Sequence, residues 1–264
     1  MYPNLLQFLG MNFPAFFPLI MLGILIAAFY GVRIARREHA DPVVLLDFGM
    51  MGMIGGILGA RIFHILFEYQ YHWYYLEDPK RVFYFWQGGF ASLGAFILVP
   101  TIFIIYLRRR KLMVWRYIDI AALLTPIIDF FTRLACLLVG CCYGKTTDSP
   151  LHLIFNHPAS TPVAEGLGGQ ALHATQAYFM LNAVLAFALV HVVYRKRSFY
   201  GSVCVSYLLY YGVTRFFIEF LRGDADRGLW FNNILSSGQV VMLGFISAGL
   251  LLWWQLSKRC PIVK

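Results

Sequence analysis

Residues 118–144 read IDIAALLTPIIDFFTRLACLLVGCCYG. The stretch is apolar for most of its length and holds the roughly 20 residues that a helix needs to cross a hydrocarbon core. Asp129 and Arg133 stand inside it, four apart, which puts them on one helix face within pairing distance. A charged side chain near the bilayer centre costs about 2.5 to 3.5 kcal/mol on insertion scales, so a span that keeps one points to a function for it. The alternative is a charge near the span end that snorkels to the interface.

Around this helix the rest of the chain is equally apolar. A mean hydropathy of +0.64, with 59% hydrophobic and 13% charged residues, excludes a soluble globular domain and a disordered chain. Apolar windows fall near residues 13–32, 45–67, 84–107, 118–138, 174–194, 201–221 and 234–255. The expected fold is therefore all-α: a polytopic transmembrane helical bundle of about seven spans. No internal repeat or linker composition marks a boundary, so residues 1–264 are expected to form a single integral membrane domain. No charged n-region precedes the first span and no small-residue cleavage site follows it, so that span is expected to be retained.

A net charge of +9 could imply a nucleic-acid partner, but the position of the cations argues otherwise. Arg33, Arg36 and Arg37, then Arg108 to Lys111, Arg195 to Arg197, and Lys258 with Arg259 each follow alternate spans. Placing that side in the cytoplasm gives it 14 Lys and Arg, against five outside and three within spans. The N-terminus is then outside and the C-terminus cytoplasmic. The longer loops, near 68–83, 139–172 and 223–233, face outward, and function carried by loops is expected there. The partner is a membrane, with no nucleic acid.

Three arginines, Arg61, Arg133 and Arg215, lie inside apolar runs. Glu219 follows Arg215 by four and can fix its guanidinium. A guanidinium offers five donors in a planar fork and stays charged when buried, so two or three converging forks would hold a phospholipid phosphate. The glycines Gly49, Gly52, Gly55, Gly56 and Gly59 ahead of Arg61 read as a helix-packing surface. His64, three residues after Arg61, and His173, three before Gln176, are candidate bases near neutral pH or interfacial hydrogen-bonded histidines. The Trp73, Tyr74 and Tyr75 cluster and Trp86 read as an aromatic belt. Cys136, Cys141 and Cys142 could bind a soft metal, act in redox chemistry, supply a nucleophile, or simply fill space. Adjacent cysteines make a strained disulfide, so a bridge between Cys141 and Cys142 is not expected.

In order and spacing these motifs resemble the prolipoprotein diacylglyceryl transferase family of the bacterial inner membrane. GARIFHILF (59–67), FWQGGFASLGA (85–95) and IDIAALLTP (118–126) are similar to three of its segments, and TRLACLLVGCCYG (132–144) to its signature, with Arg133 and Gly144 at matching places. HATQAYFML (173–181), YYGVTRFFIEFLR (210–222) and SSGQ (236–239) continue the resemblance, which covers about residues 45 to 245. It implies transfer of a diacylglyceryl group from phosphatidylglycerol to the lipobox cysteine of a prolipoprotein at the outer face of the inner membrane, releasing glycerol phosphate. Phosphatidylglycerol and the prolipoprotein are the implied partners, with no cofactor and no metal.

On this resemblance Arg61, Arg133 and Arg215 hold the phosphate, with Glu219 as orienter and Asp129, Gly144 and Gln176 in support. The family has a histidine where this chain has Leu93. Cys136 replaces an asparagine of the signature, Cys141 its glutamate, Phe16 a tyrosine and Phe179 a glutamate, while Asp129 is an added acid. His64, His173, Cys141 and Glu68 are what remains for proton transfer. Two other readings stay open at this point. One is a divergent relative with another acceptor; the other is a transporter or thiol or soft-metal carrier working through the GCCYG cysteines.

Overall fold

The structure is a computed structural model that describes residues 4–8, 11–14, 16–67, 72–84, 92–158, 160–223, 229–230 and 235–259. In chain order the hairpin β1 (Asn4–Phe8) and β2 (Met11–Pro14) precedes the helices α1 (Phe16–Arg37), α2 (Pro42–Phe67), α3 (His72–Glu77), α4 (Ser92–Arg109) and α5 (Val114–Val139). Then come β3 (His152–Ile154), α6 (Thr161–Ala164), β4 (Ala171–His173), α7 (Thr175–Lys196) and α8 (Ser202–Ile218). A 3-10 turn, Glu219–Leu221, extends α8, and the pair β5 (Leu229–Trp230) and β6 (Leu235–Ser236) leads to α9 (Ser237–Arg259).

Among the described residues six helical segments are long and apolar enough to cross a membrane: Pro18–Arg37, Pro42–Leu66, Val114–Val139, Thr175–Lys196, Ser202–Leu221 and Ser237–Lys258. The chain is thus mostly helical and fits a polytopic membrane protein. The window expected near 84–107 contains α4, and residues 85–91 lie outside the described residues. Large side chains such as Leu25, Phe29, Ile57, Leu185 and Leu251 are exposed, as lipid-facing surfaces require.

The chain divides into two compact units. The first comprises Met1–Ile34 with Ile118–Lys264. Here α8 packs against both α7 and α9. Gly212 lets α9 come close, because a Cβ there would lie 2.8 Å from Ile246. Asp119 of α5 is fully buried, and its carboxylate accepts from the backbone N–H groups of Gly201 (2.7 Å), Val203 (3.1 Å) and Cys204 (3.0 Å). The first turn of α8 has N–H groups without helical partners, and a carboxylate from another helix satisfies them and favours the positive end of its dipole.

The second unit is Ala35–Tyr117, built on α2 against α4. Their contact is backbone on backbone: a Cβ on Gly59 would lie 2.6 Å from the Gly94 carbonyl oxygen, and one on Gly94 would overlap Gly59. Gly55 faces Ile102 and Val99, whereas Gly49, Gly52 and Gly56 have nothing within 4 Å among the described residues. The Tyr106 hydroxyl donates to Asp47, and Asp41 N–H donates to the Tyr117 hydroxyl (2.9 Å).

Candidate active site

Helix α5 ends because Gly140 adopts φ 80, a left-handed cap that glycine reaches without steric cost. The N–H groups of Gly140 (2.9 Å) and Cys141 (3.1 Å) both donate to the Cys136 carbonyl, which curls the chain back over the last turn. Cys142 follows at φ 57, a region that a residue with a Cβ seldom occupies. Two buried side chains at the start of α7 hold this turn: Thr175 Oγ1 donates to the Cys142 carbonyl (2.7 Å) and Gln176 Nε2 to the Cys141 carbonyl (2.7 Å). The turn brings the sulfurs of Cys136, Cys141 and Cys142 within 4.8 Å of one another. Cys136 is buried, and Cys141 and Cys142 are half-buried. The Cys136 and then the Cys141 thiol, hydrogen-bonded to Cys142, act with Arg222 and Arg133 to hold the Cys142 thiol well below its usual pKa. The same hydrogen bonds, with Cys136 first, push Cys141 up.

Gly144 lies where three segments meet. Its N–H donates to the His173 carbonyl (3.1 Å), Lys145 N–H to Leu221 (2.9 Å), and Gly223 N–H to Tyr143 (3.1 Å). A Cβ on Gly144 would overlap the His173 side chain, so only glycine fits. Tyr143, with its hydroxyl bonded to Glu165, anchors the loop in a small core with Phe155 and Leu172. The loop after α5 is thereby tied to the segment that follows α8.

These two helices carry the arginines. Arg133 Nε is 3.4 Å from Asp129 Oδ1, and Arg215 Nη2 is 3.2 Å from Glu219 Oε2. The guanidinium groups of Arg133 and Arg215 lie over one ring, that of Phe179 on α7, at 4.4 and 4.6 Å from its centroid. Glu219 is 3% exposed, also reaches Arg222 Nη1 at 3.5 Å, and accepts from Ser236 Oγ at 3.3 Å. Gly238 lies against this carboxylate, where a Cβ would be 3.2 Å from Oε1. Arg215 Nη1, Asp129 Oδ2 and Gln176 Oε1 are buried without a hydrogen-bond partner among the described residues. An orphaned guanidinium donor in such a place suits an incoming anion.

His173 is half-buried, with Nδ1 3.3 Å from the Tyr178 hydroxyl, which itself donates to the Leu151 carbonyl (3.0 Å). In the second unit, Arg61 is buried on α2; its Nε donates to the Val82 carbonyl (3.1 Å), and its Cζ lies 5.3 Å from the Tyr75 ring centroid. His64 meets the same tyrosine edge-on at 5.8 Å, so the expected shared face of Arg61 and His64 is seen. Glu68 and residues 86–89 lie outside the described residues, and Leu93 is the second residue of α4.

The first unit thus brings together Asp129, Arg133, Arg215 and Glu219 on one side, and Cys141, Gly144, His173 and Gln176 through one loop. Sequence reading missed Arg222 and Phe179 as members. Arg222 stands three residues after Glu219, a spacing that places it within reach of the same carboxylate. Helices α7 and α8 also leave a mostly apolar groove of about 340 Å³, lined by Leu181, Asn182, Leu185, Val213 and Phe217 among others.

A family model described as prolipoprotein diacylglyceryl transferase matches residues 3–255. Proteins named phosphatidylglycerol–prolipoprotein diacylglyceryl transferase are similar along most of the chain. The one from Clostridium tetani is 28% identical over 251 residues, covering 95% of this chain and 96% of its own. That from Aeromonas salmonicida is 34% identical over 226 residues, covering 85% and 76%. That from Idiomarina loihiensis is 31% identical over 239 residues, covering 89% and 85%. With arginines paired to carboxylates in two helices, and a match that runs nearly end to end, the chain belongs to the prolipoprotein diacylglyceryl transferase family.

Proposed function

We propose that this protein transfers a diacylglyceryl group from phosphatidylglycerol to the cysteine thiol of a prolipoprotein, at the outer face of a bacterial inner membrane. The observation that carries it is the pair of guanidinium groups on the Phe179 ring, with Arg215 Nη1 lacking a protein partner among the described residues. Names of the relatives favour a transferase over a carrier. The orientation rests on the cation count, 14 against five, with the N-terminus outside and about seven spans.

In this reading the headgroup phosphate sits on Arg133 and Arg215, which Asp129 and Glu219 hold in place. The acceptor sulfur bonds to the glycerol carbon bearing the phosphate ester, the carbon–oxygen bond breaks, and glycerol phosphate leaves. Charge builds on the departing phosphate, where fixed cations in a dry site act most strongly. An acyl chain lies in the groove between α7 and α8, where Asn182 Nδ2, buried without a partner among the described residues, can donate to an ester carbonyl. Arg61 holds the Pro79–Phe83 turn to α2 through the Val82 carbonyl.

The test is rescue of a bacterium depleted of its own diacylglyceryl transferase, with mass spectrometry of its lipoproteins. Wild-type protein should restore growth and add a diacylglyceryl group to the lipobox cysteine. His64→Ala, His173→Ala and Cys141→Ser are assayed beside it at matched abundance, and loss in one identifies a group that the proton transfer needs. Binding of anionic phospholipid with no modified lipoprotein would refute this acceptor.

A further inference from the structure

The acceptor thiol must lose a proton before its sulfur can attack, and an unassisted thiol ionises near pKa 8.5. The turn after α5 offers a means, in three cysteine sulfurs gathered within 4.8 Å. Zinc–sulfur bonds of about 2.3 Å set tetrahedral ligand sulfurs about 3.8 Å apart, so small side-chain rotations would close this cluster on a metal.

The backbone positions are already fixed: the Cys136 carbonyl takes two N–H bonds from the turn, and Thr175 and Gln176 hold the carbonyls of Cys142 and Cys141. Cys136 is buried, while Cys141 and Cys142 are only half-buried, so the cluster is not sealed from a ligand. Arg133 lies one helical turn before Cys136, and Arg133 and Arg222 are the cations whose charge acts on Cys142. Three thiolates around a divalent ion carry a net negative charge, and these cations offset it.

We propose that Cys136, Cys141 and Cys142 bind a zinc ion as three thiolates, and that its open fourth position takes the acceptor cysteine as a zinc-bound thiolate. Three protein ligands with one open position is the pattern of catalytic rather than structural zinc. A coordinated thiol gives up its proton outright, here to water, so no side-chain base is required. The zinc-bound sulfur then bonds to the glycerol carbon as the carbon–oxygen bond breaks toward Arg133 and Arg215. The thioether product, neutral at sulfur, is a poor ligand and leaves. The identity of the acceptor rests on the transferase reading above; the metal site itself does not.

The experiment uses full-length protein in lipid nanodiscs. Zinc content is measured directly, and zinc is then replaced by cobalt(II), whose visible absorption reports tetrahedral thiolate ligation. About one metal per chain is expected, and Cys141→Ser or Cys142→Ser should weaken binding by more than the roughly 10- to 100-fold that loss of an outer-shell partner costs. Zinc should also shield Cys136, Cys141 and Cys142 of the wild-type protein from alkylation, a readout that needs no variant. Adding a peptide with a single lipobox cysteine should change the cobalt spectrum, and the serine version of that peptide should not.

Absence of metal binding, or a cobalt spectrum indifferent to the cysteine peptide, overturns the proposal. So does lipoprotein transfer that persists after zinc has been removed and shown to be absent, a result that leaves the transferase reading intact. A cobalt response to the thiol with no lipoprotein transfer supports the metal site and refutes the lipoprotein acceptor.

Discussion

Arg215 has its carboxylate partner on one nitrogen, a ring against its face and a second nitrogen with no partner among the described residues. An ammonium could copy the charge but neither the fork nor the stacking. Arg215→Ala is therefore expected to lower transfer about 100- to 1000-fold, the range seen when one donor to a developing oxyanion is removed, and Arg215→Lys should recover only a small part. Transfer rates to a cysteine peptide in nanodiscs, at matched folded protein, measure both; a lysine variant equal to wild type would refute the need for a guanidinium that holds Glu219 with one nitrogen and offers the other. Arg133, Arg215 and their carboxylates were legible in the sequence because a spacing of four fixes a helix face without knowledge of the tertiary fold. Phe179 was not, since one aromatic in a chain with 24 phenylalanines carries no local signal of what stacks on it.

At the scale of elements, Asp119 shows what pattern reading misses. A buried acid in a span looks functional, yet its carboxylate is used on the first turn of α8, a contact across more than 80 residues. Asp119→Ala should lower stability by about 2 kcal/mol, the upper end for loss of a helix cap, and Asp119→Asn by less. Thermal unfolding in detergent reads this, and transfer per folded molecule should stay near wild type. The glycine run of α2 was legible as a packing surface, but among the described residues only Gly55 and Gly59 meet α4 within 4 Å of where a Cβ would stand, a closeness that spacing along one helix does not reveal. Gly144 matched the family signature, but its reason appears only where loops distant in sequence exchange backbone hydrogen bonds.

For the whole molecule, hydropathy made a helical membrane protein legible, because a span must satisfy its backbone within itself and so writes its length into the sequence. The proposed orientation rests on the cations that end α1, α4, α7 and α9. Single cysteines placed at 108–111 should resist impermeant maleimide in intact cells and react after permeabilisation. Single cysteines in the loop at 145–151 should react directly. Labelling of 108–111 from outside would reverse the orientation and move the proposed site to the other face of the membrane.

The ring of Phe179 has a consequence for lipid capture. Arginine has about 2 kcal/mol of side-chain conformational entropy to lose when it is ordered. Here one aromatic ring and two carboxylates hold both long side chains once the protein has folded. If the proposed phosphate site is right, lipid binding has little ordering left to do there, and a phospholipid drawn from a surrounding sea of similar molecules would be selected by how well it fits that fixed pair.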